Sequence, residues 1–572
     1  MSSQRRLLLR QGGRQTGGLM PMPFILANAA MERLSTHALT PNMIKYLMGG
    51  YGMELAQGTQ VIFIWNYAIN FTPLLGASLT DSYLGRFLTI GLASIICFLG
   101  MVLLWLTTLI PQTKPPPCIE PHNCESATPA QLALLFASLA MISVGSGSLR
   151  PCSLAFGADQ LDQRSGGSSK KYALESYFNW YYTLAAVSVL ISLTGMVYVQ
   201  DHFGWRVGFG VSVVLMFFAA FLFFAASSLY TKHSASGSVL VEFAQVVVAS
   251  FRKRGLLLPP TGSAECYHCQ KDSKFLVPTD TLRFLNKACI VTTLDQEIAP
   301  DGFAGKTCTV EQVEQLKALL RVTPIWSTGI MVVLNISQNT FLLQQASSMD
   351  RHITSTVQIP AGSFSMFMVI TIIFWNVLYD RVILPLASRL CGKPVRLGVK
   401  LRMGIGIFMS CVAMVVSVIV EQIRRQKAAG LSGVNAVQAG TMSAMWLIPQ
   451  CAIHGLAEAF SVIAQTEFYY SDALGASAAN LLASAILSLV DYMTSRNGNV
   501  SWASRDINSG RYDSYYTLLA ALSFANLVYF MACSWAYGPC KGDASSQEEM
   551  LHKEEEEEEV SLLGSRRMLG EV

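Results

Sequence analysis

Runs of about twenty apolar residues recur along this chain, and that recurrence leaves few folds open to it. A helix of that length spans the ~30 Å hydrocarbon layer of a bilayer. Twelve such segments can be marked: 20–48, 61–79, 88–109, 132–155, 177–199 and 207–229, then 319–343, 359–379, 403–420, 442–464, 474–492 and 516–537. Only 14% of the residues are charged, against about 25% in soluble proteins. The expected class is an all-α, multi-pass membrane protein. Six segments on either side of a long polar stretch predict two six-helix bundles, with a substrate site between them near the midplane.

The resulting division is a basic N-terminus (1–19), a first bundle (20–229), a central loop (230–318), a second bundle (319–537) and a tail (538–572). Lys and Arg set the orientation. Arg381, Arg389, Lys393, Arg396, Lys400 and Arg402 follow the eighth segment, and Arg164, Lys170 and Lys171 follow the fourth. With Arg252, Lys253 and Arg254 of the central loop and the basic N-terminus, they place both termini in the cytosol. Arg424, Arg425 and Lys427, after the ninth segment, run against this rule.

The loops carry weaker signals. Cys118 and Cys124 could pair on the outer side, although their spacing alone decides little. Asn499 opens an Asn-Val-Ser glycosylation acceptor on that same side. Residues 240–255 combine an apolar face with Arg252-Lys253-Arg254, a pattern suited to a helix lying in the membrane interface. Cys266, His268 and Cys269 are too crowded for a zinc half-site, and a loop with free thiols is expected. The Glu554–Glu559 run predicts a disordered tail. Glu558 to Leu563 fits an acidic dileucine signal, with Leu562 and Leu563 read by a sorting adaptor.

Charges inside apolar segments are the candidates for function, because each costs ~3 kcal/mol or more at membrane depth. Glu32 and Arg33 lie in the first segment, Arg150 in the fourth beside Pro151, and Glu458 in the tenth with His454 one turn before it. Asn335, Ser337, Gln338, Asn339 and Thr340 form a polar belt in the seventh. Arg33 and Arg150 cannot lose their charge and suit planar oxyanions. Carboxylates can take up a proton, so Glu32 and Glu458 could couple protons to anion binding. No Walker-type glycine loop, metal-ligand pair or nucleophile triad is recognisable, so neither an enzyme nor ATP-driven transport is expected. Net charge +4 points to no nucleic-acid partner.

Several motifs together resemble one family. Gly76-Ala-Ser-Leu-Thr-Asp81-Ser-Tyr-Leu-Gly85-Arg86-Phe87 is similar to the signature of the major facilitator superfamily between helices 2 and 3. The runs 156–162 (FGADQLD) and 177–182 (YFNWYY) resemble the proton-coupled oligopeptide transporters, and within these the plant nitrate and peptide transporters. The resemblance implies the major facilitator fold, with Asp81 and Arg86 bracing cytosolic helix ends. It implies proton coupling through a Glu-x-x-Glu-Arg motif whose first Glu is Ala29 here. Arg150 replaces the family's Lys on helix 4, Ala185 replaces an Asn, and Asn335 stands where some nitrate carriers have His. Glu458 matches the helix 10 Glu. Thr89, in Arg-x-x-Thr, matches a site phosphorylated in a nitrate-sensing relative, although as residues it is simply a hydroxyl at a helix start.

The expected function is proton-coupled symport of nitrate or another small anion. The alternatives are transport of acidic plant hormones, glucosinolates or short peptides, uniport without protons, and a sensor with little transport. Glu32 and Glu458 would handle protons, while Arg33, Arg150, Asn335 and Gln338 would bind substrate. No cofactor is expected beyond the proton gradient. The partners expected are an anionic or zwitterionic substrate and the lipid bilayer, with a kinase and a sorting adaptor as candidates. The plasma membrane is the expected location and an endomembrane the alternative.

Overall fold

A computed structural model describes residues 18–116, 127–162, 168–232, 239–256, 267–268, 277–291, 308–355, 357–391, 398–430, 442–469, 473–496, 500–504 and 506–537. Cys118, Cys124, Asn499, Leu562 and Leu563 lie outside them, as do Cys266 and Cys269. The first bundle comprises α1 (Met22–Leu39) with α2 (Met43–Tyr51), α3 (Leu55–Leu79), α4 (Arg86–Leu109), α5 (Pro129–Asp162), α6 (Ser168–Ile191) and α7 (Val197–Ala225). The loop helix α8 (Val239–Arg252) follows. The second bundle comprises α9 (Val310–Ile336) with α10 (Asn339–Ser347), α11 (Met366–Leu378) with α12 (Leu384–Cys391), α13 (Val399–Gly430), α14 (Ile448–Tyr469), α15 (Ala473–Thr494) and α16 (Tyr512–Tyr537).

These elements give twelve spans. Among the described residues nine stretches are long and apolar enough to cross a membrane, one of them containing both α6 and α7. The two remaining spans, α1 and α14, fall short because they carry Glu32, Arg33 and His37, and His454 and Glu458 respectively. These two helices thus carry several of the polar residues that the sequence marks as candidates. Phe, Leu and Met side chains such as Phe217, Phe221, Leu489, Phe524 and Met531 are exposed on the bundle exterior, where lipid tails would cover them.

Helix 7 begins earlier than the hydropathy pattern suggests, at Val310 rather than 319. A capping box between Thr309 and Gln312 starts it. Its first turns carry Glu311, Glu314 and Lys317, which masked the helix in the sequence. Val310, Val313 and Leu316 pack with Val246 of α8 and with Leu285 and Cys289 in a small core of their own. One face of α8 therefore faces this core, while Val247, Val248 and Phe251 on its other face are exposed.

Close approach between helices explains several glycines. A Cβ on Gly76 would lie 2.9 Å from the Ser148 Cα, so α3 and α5 meet backbone to backbone. Gly85 has φ 74°, a left-handed turn that costs a side-chain-bearing residue energy. Arg86 beyond it pairs with Asp159 of α5 at 2.5 Å and donates to the Ala155 carbonyl, joining α4 to α5. Gly76→Val should overpack this contact by roughly 1–3 kcal/mol. The expected result is a lower yield of monodisperse protein in fluorescence-detected size exclusion, with Gly49→Val, where space is open, as the unaffected control.

The two bundles pack along α3 and α15, and they also touch at the ends away from the basic loops. Asn42, between α1 and α2, leaves no room for a side chain at Gly362. Gln344 of α10 reaches the Met48 sulfur at 3.8 Å, and residues 192–196 pack on 361–365. The bundles are closed against each other at this end.

The arginines that run against the positive-inside rule also find their place. Arg424, Arg425 and Lys427 do not belong to a loop but to the last turns of α13. Arg424 forms a two-bond ion pair with Glu421, at 2.8 and 2.9 Å, and both are almost fully buried. Arg425 pairs with Asp513 of α16. Two of the three charges are therefore paired with carboxylates of the protein.

Candidate functional site

A cavity of about 360 Å3 lies between the bundles. From the first bundle it is lined by Arg33 and His37 of α1 and by Ala185, Ala186 and Val189 of α6; from the second, by Met368, Val369 and Ile372 of α11 and Glu458 of α14. Asn339 and Ser365 complete it. The structure thus places Arg33 and Glu458, far apart in sequence, around one space. His37, one helical turn after Arg33, shares its face of α1. The sequence reading did not single it out, although its spacing from Arg33 carried the signal.

Beside the cavity, Glu32 is fully buried. Its Oε1 accepts from Thr36 at 3.0 Å and from Ser146 of α5, and lies 3.5 Å from the Arg150 Nε. Pro151 has no N–H, which interrupts the hydrogen bonding of α5 at this point. Tyr181 of α6 donates its hydroxyl to the Arg150 carbonyl at 3.2 Å, so α6 supports the broken turn. The Arg33 guanidinium lies over the same Tyr181 ring, 5.5 Å from its centroid. A cation on a ring face is held by the ring quadrupole rather than by a counter-charge.

This arrangement follows from Ala29. It is buried among Met22, Leu161, Tyr177 and Tyr181, so the place of an acid is taken by an apolar cluster. Arg150 pairs with Glu32 behind the wall, and Arg33 faces Glu458 across the cavity, so two guanidinium groups are set against two carboxylates.

The other predicted residues are placed differently. Asn335 is buried, and its Nδ2 donates to Ser410 of α13 at 2.9 Å and to Ser523 of α16 at 2.8 Å. Since Ser523 donates its own proton to the Leu519 carbonyl, it must accept from Asn335, which fixes the amide. Asn335 therefore cannot offer that N–H pair to an oxyanion, contrary to the role its position suggested. Gln338 accepts from Tyr515 at 3.2 Å and donates to the Leu334 carbonyl. Both residues line a smaller annex of about 30 Å3, together with Gln450, His454 and Tyr516. Thr89 is buried, within hydrogen-bond distance of Thr80 and of the Gly85 carbonyl, so a kinase has no access to it in this conformation.

Comparison with known proteins fits this geometry. The POT family profile matches residues 87–502. This chain belongs to the POT family. Among its relatives, the Arabidopsis thaliana protein NRT1/PTR family 1.2 is 50% identical over 560 residues, covering 94% of this chain and 92% of the relative. NRT1/PTR family 1.1 of the same plant is 52% identical over 548 residues, covering 92% of each. A crystal structure of the POT family transporter PepTSo superposes with a TM-score of 0.64 at 17% identity, covering 90% of this chain and 98% of that one. The POT family is one of transporters, and this member of its NRT1/PTR branch is a multi-pass membrane protein with the major facilitator architecture.

Proposed function

We propose that this POT family member is a proton-coupled symporter of a small anionic or zwitterionic solute, working by alternating access. The observation that carries the reading is the cavity between the bundles with the Arg33 guanidinium on one side and Glu458 on the other, backed on the first-bundle side by the Arg150–Glu32 ion pair. An anion entering the closed-off space would be held by groups that cannot discharge. Glu32 and Glu458 are the carboxylates at this depth whose protonation can change the balance. Rocking of one bundle against the other would then carry anion and proton together.

Nitrate is one substrate of this class; hormone acids, glucosinolates and short peptides are others. The loss of the first acid at Ala29 shifts the proton task to Glu32 and Glu458. The plasma membrane is the proposed location. Proteoliposomes with an imposed pH gradient test the reading: labelled anion should accumulate, and Arg150→Ala or Glu458→Gln should lower accumulation at least tenfold. Uptake that stays unchanged in both variants and flat across external pH would overturn it.

A further inference from the structure

The loop between the bundles holds α8 from one side. Val246 and Ser250 are buried against the Arg283–Cys289 turn. The Ser250 hydroxyl lies 3.3 Å from the Leu285 carbonyl, and Lys253 donates to the Ile290 carbonyl at 2.8 Å. The opposite face carries Ala244, Val247, Val248 and Phe251, all exposed. Their spacing of three, four and seven residues makes one stripe along the helix. Val247, Val248 and Phe251 are 52%, 51% and 67% exposed, so the apolar residues here face away from the small core. Three consecutive bases close the helix, and the structure divides them. Lys253 turns to the core, while Arg252 and Arg254 stay exposed. The Arg254 guanidinium lies over the Phe251 ring, 4.8 Å from its centroid, so a permanent positive charge stands at the end of the stripe. Lys287 donates to the Arg254 carbonyl at 2.6 Å and fixes that end.

Such a face matches the boundary of a bilayer, where apolar side chains enter among the acyl chains and guanidinium groups reach the phosphates. Its place in the fold agrees. α8 packs on α9 and touches α3, two helices that span the membrane. The last turns of α3 expose Leu75 and Leu79, so lipid-facing surface continues to this end of the first bundle. The Glu554–Glu559 run of the tail offers charge for the arginines but no apolar side chain for the stripe. We infer that the face formed by Ala244, Val247, Val248 and Phe251 docks on anionic phospholipid, in the leaflet at the end of the bundles that carries the basic loops. Arg252 and Arg254 meet the headgroup phosphates there. The loop joining the bundles is thereby tied to the membrane surface, and with it the start of α9, which shares the small core. This holds whatever solute the central cavity takes.

The test uses the full chain carrying Val248→Cys in nanodiscs, made either of phosphatidylcholine alone or of phosphatidylcholine mixed with phosphatidylserine. A neutral polyethylene glycol maleimide labels accessible thiols, and peptide mass spectrometry reads each cysteine separately. Position 248 should react roughly tenfold more slowly when phosphatidylserine is present. The difference should shrink at 1 M salt, where the screening length is ~3 Å, and vanish when Arg252→Glu and Arg254→Glu are added. Cys289 and Cys308, buried behind α8, should stay unlabelled throughout. If they become reactive in the charge-reversed protein, its loop has come apart, and the salt series with both arginines intact decides instead. Equal rates in the two lipids overturn the docking: fast rates leave the face in water, and slow ones mean that another part of the chain covers it. Slow labelling released by deleting residues 538–572, whatever the lipid, would assign the face to the tail and also overturn it. So would a lipid difference that survives both high salt and charge reversal, since the arginines would then have no part in it.

Discussion

Arg424→Ala is expected to be the most damaging single substitution in the second bundle, at roughly 3–5 kcal/mol of stability. The reason is what it leaves behind rather than what it removes. Glu421 is completely buried, and without Arg424 its charge has, among the described residues, only the Gln345 amide as partner. Arg424 also donates to Asn508 at 2.9 Å and to the Ile507 carbonyl, so the segment leading into α16 loses its anchor as well. Replacing both members of a buried pair by apolar residues is commonly close to neutral. The double variant Glu421→Leu with Arg424→Leu should therefore recover most of the loss in apparent Tm of the detergent-purified protein. A double variant as unstable as the single one would show that the Asn508 contact, not the unpaired charge, dominates. Because Glu421 also accepts from the Gln345 amide, which accepts in turn from Gln450, the recovered protein should remain altered at the annex.

This pair shows what the sequence could and could not disclose. Twelve spans, the placing of Glu32, Arg33 and Glu458 in apolar helices, and the family follow from composition and motif, because each is a local property of the chain. The Glu421–Arg424 unit is local too, at a spacing of three residues. Yet only its neighbours Gln345, Gln450 and Asn508, brought in from elsewhere in the chain, reveal that it is buried. From sequence alone, Arg424 and Arg425 looked like an exception to the rule of orientation. Asn335 was legible as a polar residue at depth. Which side of its amide is committed depended on Ser410 and Ser523, 75 and 188 residues away. His37 was missed because a lone histidine near a helix end has many ordinary uses, and only the cavity singles it out. The early start of α9 was hidden for a related reason, since charged residues beside a small core outside the bundles read as loop.

The second large effect is expected at Glu32. Glu32→Gln should reduce pH-driven accumulation of the anion at least tenfold while sparing exchange of labelled for unlabelled substrate. The side chain keeps its shape, and Oε1 can still accept from Thr36 and Ser146, so the fold and the broken turn of α5 have their local contacts. What is lost is the charge that faces Arg150 at 3.5 Å. If the proton travels on Glu32, the amide mimics the protonated carboxyl permanently, and the bundles can still rock with substrate bound. The gradient then has no titratable carboxylate on the first-bundle wall to act on. A fixed structural carboxylate predicts the opposite: exchange and accumulation fall together, because an uncompensated Arg150 destabilises every conformation alike. The ratio of exchange to accumulation in one preparation decides between them. Restoring an acid at position 29 sharpens the contrast, since Ala29→Glu would place a carboxylate among Tyr177, Tyr181 and the Arg33 guanidinium. In the Glu32→Gln background it should return part of the pH-driven uptake if proton transfer, rather than the exact position of the acid, is what this wall of the cavity supplies.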